Sequence, residues 1–195
     1  METLIYLVRH TEPIVADNRR RYLGRSDPPL SPLGLRQALE VARSLSHQHF
    51  DSIHSSDLGR ALETAQIIAE ALGSRPGTPD LTVHTDARFR EIDAGLWEGL
   101  TFEEAKERYP NEYAQRELDL YHNPFPGGES FAQVRARALP ALREVLAQGD
   151  STILLVAHKG VNRVLLCELL RLPPERLFSL PQDYGAVKKI RVAGI

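Results

Sequence analysis

The chain has 195 residues, of which 42% are hydrophobic and 26% are charged, and its formal net charge is −2. This length and composition predict one globular domain over residues 1–195, with enough apolar side chains to form a core. The small net charge argues against a nucleic-acid partner, because nucleic-acid-binding proteins usually carry a basic surface. The single cysteine, Cys167, excludes an intramolecular disulfide and any CxxC motif.

The sequence contains no signal peptide and no apolar run of roughly 18 residues, the length that a membrane-spanning helix needs. We therefore expect a cytoplasmic protein without a membrane partner.

The first predicted element is a buried strand over residues 4–8, which ends in Arg9, His10 and Thr11. In open α/β sheets, ligands bind beyond the carboxyl ends of the strands. An arginine beside a histidine at such a place indicates an anion held next to a nucleophile. The pattern predicts phosphoryl transfer through His10.

A polar, arginine-rich loop follows from Pro13 to Pro29. It is longer than a typical connection, and long loops in compact domains are often functional. We assign Tyr22 and Gly24 of this loop to substrate binding. The alternative is a solvated loop with scattered charges.

The next helix is predicted to begin with Ser31 as its N-cap residue and Pro32 at its first position. Its buried face is predicted from helical spacing to contain five residues: Leu35, Ala38, Leu39, Ala42 and Leu45.

A second strand at residues 50–54 precedes a helix with an apolar stripe from Leu58 to Leu72, and Gly73 ends this helix. Arg60 lies in its first turn, off the stripe. A helix N-terminus favours anions, and an arginine there adds a planar pair of donors suited to phosphate. An ordinary surface arginine is the alternative interpretation.

Residues 74–79 are predicted to form a turn-rich connection, and capping-box spacings predict helices after Thr101 and after Ser130. A continuous apolar strand at residues 152–157 is typical of a central parallel strand, and His158 follows it directly. A last strand is predicted at residues 186–192. Alternating strands and helices predict a three-layer α/β/α sandwich around a mostly parallel central sheet.

Histidines at the ends of two strands are also compatible with a metal site. However, neither His10 nor His158 has a second ligand at a spacing such as HxH or HExxH. His47 and His49 do lie two residues apart, but at the polar end of a helix, where solvent-facing side chains are the better explanation.

Four stretches, in this order, resemble motifs of the histidine phosphatase superfamily, the phosphoglycerate mutase-like group that includes α-ribazole phosphatases. They are Leu-Val-Arg-His-Thr-Glu at 7–12, Ser-Ser-Asp-Leu-Gly-Arg-Ala-Leu-Glu-Thr-Ala at 55–65, Arg-Glu-Ile-Asp-Ala-Gly-Leu-Trp-Glu-Gly at 90–99 and Ala-His-Lys-Gly at 157–160. The resemblance covers nearly the whole chain and implies a phosphoglycerate mutase-like fold.

The resemblance also implies a role for each matching position. His10 corresponds to the nucleophile that becomes phosphohistidine, and Glu91 to the general acid and base. Arg9, Arg60 and His158 correspond to the pocket that binds the transferred phosphate. Fixed positive charge and a neutral imidazole are what phosphoryl transfer to a nitrogen nucleophile requires. The implied reaction uses no cofactor and no metal.

Some positions depart from the family pattern. The family often has glycine after the catalytic histidine, where this chain has Thr11. Threonine occurs at this position in some phosphatase branches. A phosphate-contacting asparagine of the mutases corresponds to either Asp17 or Asn18, and we favour Asn18 because an aspartate would repel phosphate. Lys159 replaces a commoner glycine, and its side chain either adds charge to the pocket or points to solvent. We assign Asn18 and Lys159, with Arg9 and Arg60, to substrate binding.

The segment between Glu91 and His158 is shorter than in the mutases, which favours a phosphatase. Residues 96–99, 126–130 and 182–185 resemble the α-ribazole phosphatase branch, whose members remove the 5′-phosphate from a nucleotide precursor of cobalamin. We therefore expect a metal-independent phosphomonoesterase whose partner is a small phosphate ester, with α-ribazole 5′-phosphate as one candidate. The alternatives are a phosphoglycerate mutase and an inactive module that binds phosphorylated ligands. The oligomeric state is left open, with a homodimer among the alternatives.

Overall fold

A mostly parallel sheet lies at the centre of the fold. The computed structural model describes residues 2–17, 19–74 and 81–193. Within these residues one sheet has the strand order β3-β2-β4-β1-β5, in which β5 alone is antiparallel to its neighbour. The strands are β1 (Glu2–Arg9), β2 (Ser52–Ser55), β3 (Val83–Thr85), β4 (Thr152–Ala157) and β5 (Val187–Ala193).

Helices cover both faces of this sheet. Those that the described residues form are α1 (Pro32–Ser44), α2 (Gly59–Gly73), α3 (Phe102–Arg108), α4 (Pro110–Leu118), α5 (Phe131–Leu146) and α6 (Lys159–Leu169). Short 3₁₀ turns occur at Ala87–Phe89, Gly95–Trp97 and Pro174–Ser179. The predicted caps are confirmed, because the side chains of Ser31, Thr101 and Ser130 each accept a hydrogen bond from the first turn that follows.

Two separate cores result from the alternation of side chains along the strands. In β1, Ile5 and Leu7 pack into one core with residues of α5 and α6. Tyr6 and Val8 point to the other face and pack with residues of α1 and α2. The predicted three-layer α/β/α sandwich is therefore confirmed.

The predicted buried face of α1 is wrong for two residues. Leu35 and Leu39 are 39% and 43% exposed, whereas Gly34 and Val41 are buried instead. The reason is a close approach of the helix to the chain after β1, since a Cβ at Gly34 would lie 2.0 Å from the carbonyl oxygen of Glu12. Because residue 34 is a glycine, α1 can pack closely against the backbone of Glu12.

Two further expectations concern membrane-spanning helices and the connection that follows α2. No helix in the described part of the chain is long and apolar enough to cross a membrane. The turn-rich connection predicted for residues 74–79 lies outside the described residues, except for Ser74.

Candidate active site

The two strand-end histidines lie side by side. β1 and β4 are parallel neighbours, and Arg9 at the end of β1 is paired with Ala157 at the end of β4. This register places the next residue of each strand, His10 and His158, with ring centroids 5.0 Å apart. Both rings are buried.

The protonation state of His10 follows from its surroundings. Its Nδ1 lies 2.8 Å from the carbonyl oxygen of Thr11, and because a carbonyl only accepts, Nδ1 carries the hydrogen. Burial and the nearby charges of Arg60 and Arg9 hold the pKa of His10 well below its ordinary value. Nε2 is therefore an unprotonated nitrogen of a neutral ring, as a nucleophile requires.

Arg60 is buried and its guanidinium is fixed in place. It donates through Nη1 to the carbonyl of Ser26 (2.6 Å) and through Nη2 to the carbonyl of Gly24 (2.8 Å). Nη1 also lies 3.2 Å from a carboxylate oxygen of Asp27. Since Arg60 is only 1% exposed, the interpretation as a surface arginine is wrong.

The loop between Pro13 and Pro29 is consequently not just a solvated connection. Its Gly24–Asp27 segment supplies the acceptors that orient Arg60. Asp27 also accepts from the backbone N–H groups of Gly59 and Arg60, so it caps the start of α2 in place of Leu58, which offers no capping side chain.

Arg9 presents an unused donor. Its Nη1 donates to the carbonyl of Gln182 (2.7 Å), and its guanidinium carbon lies 3.8 Å from the ring centroid of Tyr184. Its Nε is buried and has no hydrogen-bond partner among the described residues. An unpaired buried donor carries an energetic cost, which a bound anion would remove.

His158 also has buried nitrogens without a hydrogen-bond partner. Both of its ring nitrogens are buried without a hydrogen-bond partner in the part of the chain that the structure describes. Burial, followed by Arg60, His10 and Arg9, holds the pKa of His158 well below its ordinary value. A neutral ring still has one N–H to donate, and an oxygen of a bound phosphate is a suitable acceptor.

Glu91 is oriented by backbone donors. The N–H of Gly160, in the first turn of α6, lies 3.1 Å from each carboxylate oxygen of Glu91. The N–H of Ile92 donates to Oε1 over 2.9 Å. A Cβ at position 160 would lie 2.5 Å from Oε1, so a larger residue there would displace the Glu91 carboxyl.

A cavity of about 890 Å³ lies over all of these groups except His158, which is fully buried beside the His10 ring. The cavity lining includes Arg9, His10, Arg60 and Glu91. The predicted substrate-binding residues that also line it are Tyr22, Gly24 and Lys159. Lys159 therefore lies on the cavity wall, and its assignment to substrate binding stays a prediction.

Of the two candidates for a phosphate-contacting residue in the loop, Asp17 and Asn18, the structure describes only Asp17. Asn18 lies outside the described residues. The carboxylate of Asp17 is bound by Arg21 (2.6 Å) and Arg19 (2.9 Å), and hydrogen bonds from Arg21 above all hold its pKa far below the ordinary value. Asp17 thus neutralises two arginines at the edge of the cavity.

Several cavity residues were not predicted from the sequence. Tyr184 contacts the two catalytic candidates at the carboxyl end of β1: it stacks on Arg9, and its ring lies 5.6 Å from the His10 ring. Arg116 of α4 is 5% exposed and its guanidinium carbon lies 3.8 Å from the Phe125 ring centroid. Only the similarity of residues 182–185 to a phosphatase branch pointed towards Tyr184, and no pattern pointed to Arg116.

The described residues hold no group of three or more histidine, cysteine or acidic side chains that suits a metal ion. His47 and His49 are exposed, as predicted from their place at the end of α1.

The family model of the histidine phosphatase superfamily (branch 1) matches residues 5–194. The chain belongs to this superfamily, as its four motifs predicted.

Similarity to particular proteins extends over the whole fold. Phosphoserine phosphatase 1 of Hydrogenobacter thermophilus is 35% identical over 96% of this chain and 86% of its own length. A probable phosphoglycerate mutase of Yersinia pestis is 37% identical over 87% of this chain and 75% of its own. The crystal structure of a putative alpha-ribazole-5′-P phosphatase from Escherichia coli has a TM-score of 0.85 and 25% identity, covering 98% of this chain and 91% of the other. The superfamily match and the two phosphatase relatives support phosphatase activity.

Proposed function

We propose that this protein is a metal-independent phosphomonoesterase that works through a phosphohistidine on His10. The observation that carries the proposal is the geometry around His10. Its unprotonated Nε2 lies beside the fixed guanidinium of Arg60. The ring of His158, with two unpaired nitrogens, lies 5.0 Å from the His10 ring, and Arg9, with an unpaired Nε, lines the same cavity.

In the first step Nε2 of His10 attacks phosphorus, and the bond from phosphorus to the ester oxygen breaks. Glu91, in its protonated form, gives its proton to the leaving oxygen. In the second step water attacks the phosphorus of the phosphohistidine, and the bond from phosphorus to Nε2 of His10 breaks. Glu91 takes a proton from that water, and inorganic phosphate leaves. Two displacements replace one difficult hydrolysis, and the same carboxyl serves as acid and then as base.

The pocket residues stabilise the charge on the transferred group. Arg9 and Arg60 provide fixed positive charge towards the phosphoryl oxygens, and His158 provides a neutral N–H donor. Because Arg60 is already held by Gly24 and Ser26, little reorganisation is needed when the transition state forms.

The substrate we propose is a small phosphorylated metabolite, with α-ribazole 5′-phosphate as the first candidate. The similarity to the Escherichia coli structure supports this choice. The cavity volume of about 890 Å³ and its aromatic lining, which includes Tyr22, Trp97 and Phe125, also suit a substrate with a flat ring.

The test is phosphate release in EDTA from p-nitrophenyl phosphate, α-ribazole 5′-phosphate, phosphoserine and 3-phosphoglycerate. We expect turnover without added metal, a strong preference for the ribazole ester and an acid-labile phosphoprotein that His10→Ala lacks. Turnover of another ester in preference would reject the ribazole assignment alone. A requirement for metal, or full activity of His10→Ala, would reject the phosphohistidine mechanism.

A mutase is the second candidate, favoured by the similarity to the Yersinia pestis protein. It would return labelled phosphate from 2,3-bisphosphoglycerate to monophosphoglycerate, whereas a phosphatase transfers the label only to water. An inactive binding module is excluded by any turnover that His10→Ala abolishes.

A further inference from the structure

The carboxylate of Glu98 is surrounded by hydrogen-bond donors of the long loop. Its Oε1 accepts from the backbone N–H of Arg25 (2.6 Å). Its Oε2 accepts from the backbone N–H of Ser26 (2.7 Å) and from the hydroxyl of the same residue. Among the residues that the structure describes, no cationic nitrogen lies within 4.0 Å of this carboxylate. Its interactions are therefore directed at the backbone and not at an ion-pair partner.

The donors of Glu98 belong to the segment that orients Arg60. The carbonyl of Gly24 and the N–H of Arg25 form one trans peptide group, which presents them on opposite sides. The N–H donates to Glu98, and the carbonyl accepts from Nη2 of Arg60 over 2.8 Å. A single planar group therefore connects the carboxylate of Glu98 with the guanidinium of Arg60.

Ser26 is held from both sides in a similar way. Its N–H donates to Oε2 of Glu98, and its carbonyl accepts from Nη1 of Arg60 over 2.6 Å. Hydrogen bonds to a carboxylate are stronger than neutral ones, and hydrogen bonds in series polarise one another. Glu98 thus fixes both loop carbonyls that in turn fix Arg60.

The backbone around Gly24 lets Glu98 come this close. Gly24 has a φ of +49°, and a Cβ at this position would lie 1.9 Å from Oε1 of Glu98. The loop is also paired with the residues that follow Glu98. The N–H of Gly99 donates to the carbonyl of Tyr22 (2.8 Å), and the N–H of Tyr22 donates to the carbonyl of Leu100 (2.9 Å). The loop is therefore anchored on this segment through its backbone and through the Glu98 carboxylate.

We infer that Glu98 is a positioning residue that holds the guanidinium of Arg60 against His10. Nε of Arg60 faces Nε2 of His10, so the place of the guanidinium depends on the loop carbonyls that bind its other nitrogens. The cavity lining in the described part of the chain does not include Glu98, which therefore acts through Arg60 and not on the substrate. For its effect on turnover, this inference rests on the proposed phosphatase function.

The variant Glu98→Gln tests this role while it keeps the size of the side chain. A glutamine amide has one acceptor oxygen, and its NH₂ group would face N–H and O–H donors of the loop. Residues 24–26 then have to move, and Arg60 moves with them. We expect kcat/KM for p-nitrophenyl phosphate to fall by about tenfold or more, because a displacement of about 1 Å can cost up to about 10²-fold in rate.

Asp51→Asn is the matched control, because it also converts a carboxylate that binds backbone donors into an amide. Asp51 accepts from the N–H groups of Ser151 (2.9 Å) and Thr152 (2.8 Å) at the start of β4, whereas the cavity lies beyond the other end of the strands. This variant should keep the wild-type kcat/KM. Thermal melting of both variants verifies that they fold.

A double-mutant cycle with Arg60→Ala separates positioning from a general loss of structure. If Glu98 acts through Arg60, Glu98→Gln should add little to the loss of kcat/KM in Arg60→Ala. A residue that only stabilises the fold would lower kcat/KM in either background. Additive losses, or a wild-type kcat/KM in Glu98→Gln, would overturn the inference.

The second readout is the pKa of His10, followed by ¹⁵N NMR, and it needs no turnover. After burial, Arg60 is the largest cause that holds this pKa below its ordinary value, and Arg9 is the next. The pKa of His10 should therefore rise in Glu98→Gln and stay unchanged in Asp51→Asn. Within the Arg60→Ala background Glu98→Gln should cause no further rise.

An unchanged pKa of His10 in Glu98→Gln would overturn the inference. If the pKa rises but the wild-type protein hydrolyses no ester, the proposed function fails while the placement of Arg60 by Glu98 stands. Glu98→Asp serves where Glu98→Gln does not fold, since it withdraws the carboxylate from the loop by one methylene. Both changes should then appear in the same direction and be smaller, and wild-type values of kcat/KM and of the pKa in this variant would overturn the inference.

Discussion

The Nε atom of Arg60 lies 3.4 Å from Nε2 of His10, although the two residues are 50 positions apart in the chain. The contact places a permanent positive charge against the nitrogen that we propose as the nucleophile. It disfavours protonation of that nitrogen, and it also places a donor where phosphoryl oxygens would lie during transfer. One side chain therefore serves both the resting ring and the transition state.

Replacement of Arg60 tests this double role. We expect Arg60→Ala to lower kcat/KM by about 10²-fold or more, the scale of removing a preorganised donor. Arg60→Lys keeps the charge but loses the planar pair of donors, so it should recover only part of the activity. Steady-state kinetics with p-nitrophenyl phosphate, alongside thermal melting to verify folding, give the measurement. A loss below about tenfold for Arg60→Ala would place Arg60 outside the reaction.

Glu91→Gln tests proton transfer to the leaving oxygen. An activated aryl phosphate needs little protonation as its bond breaks, whereas an alkyl phosphate needs it fully. We expect kcat/KM for alkyl esters to fall much more than kcat/KM for p-nitrophenyl phosphate. The measurement is a plot of log kcat/KM against the leaving-group pKa, which should steepen in the variant. Parallel plots for both proteins would contradict the assignment.

The substitution Gly160→Ala should displace the carboxyl of Glu91 without removing it. The added Cβ would lie 2.5 Å from Oε1 of Glu91, at the end of a flexible side chain, so the fold tolerates the change while the carboxyl moves. We expect a near-normal melting temperature and a selective loss with alkyl esters. In a double-mutant cycle, Gly160→Ala should add little to Glu91→Gln. Additive losses would show that Gly160 acts elsewhere.

The protonation state of His10 is accessible to ¹⁵N NMR. Because burial, Arg60 and Arg9 lower its pKa well below the ordinary 6.5, we expect a neutral ring with hydrogen on Nδ1 at pH 6. The acidic limb of kcat/KM that belongs to His10 should accordingly fall below pH 6.5. An imidazolium signal from His10 at pH 6 would contradict this picture.

Stability at mild acid should depend on His158. Its pKa is lowered in the folded protein, so the unfolded chain binds more protons below pH 6.5. The contribution of this residue to the free energy of unfolding is thus complete above pH 6.5. As the pH falls below 6.5 this contribution is lost, by up to about 1.4 kcal/mol per pH unit. Urea unfolding between pH 7 and 5.5 should show a shallower decrease in His158→Gln than in the wild-type protein. His47→Gln, at an exposed site, is the control and should keep the wild-type slope.

The sequence predicted best what depends on local patterns. The apolar runs before His10 and His158 identified the two central strands, and their parallel pairing then brought the histidines together. The capping residues identified the helix starts because a cap is a contact within one turn. Such features need no knowledge of the rest of the chain.

Contacts between distant segments were not predictable in the same way. Arg60 is off the apolar stripe of α2, yet it is buried because carbonyls of Gly24 and Ser26 surround it. Leu35 and Leu39 fit the helical period but are exposed, since α1 approaches its neighbours through Gly34. Periodicity indicates that a helix has an apolar side and does not determine how the helix is rotated against its neighbours.

The pairing of β1 with β4 also has a consequence for folding. Leu4 lies opposite Thr152, so the two central strands join segments about 150 residues apart. Contacts this distant carry a large loop-closure cost and form slowly, after local structure is present. His10, which we propose as the nucleophile, and its neighbour His158 therefore come together only when this distant pairing has formed. Enzymatic activity in a refolding experiment should therefore appear late and report on completely assembled molecules alone.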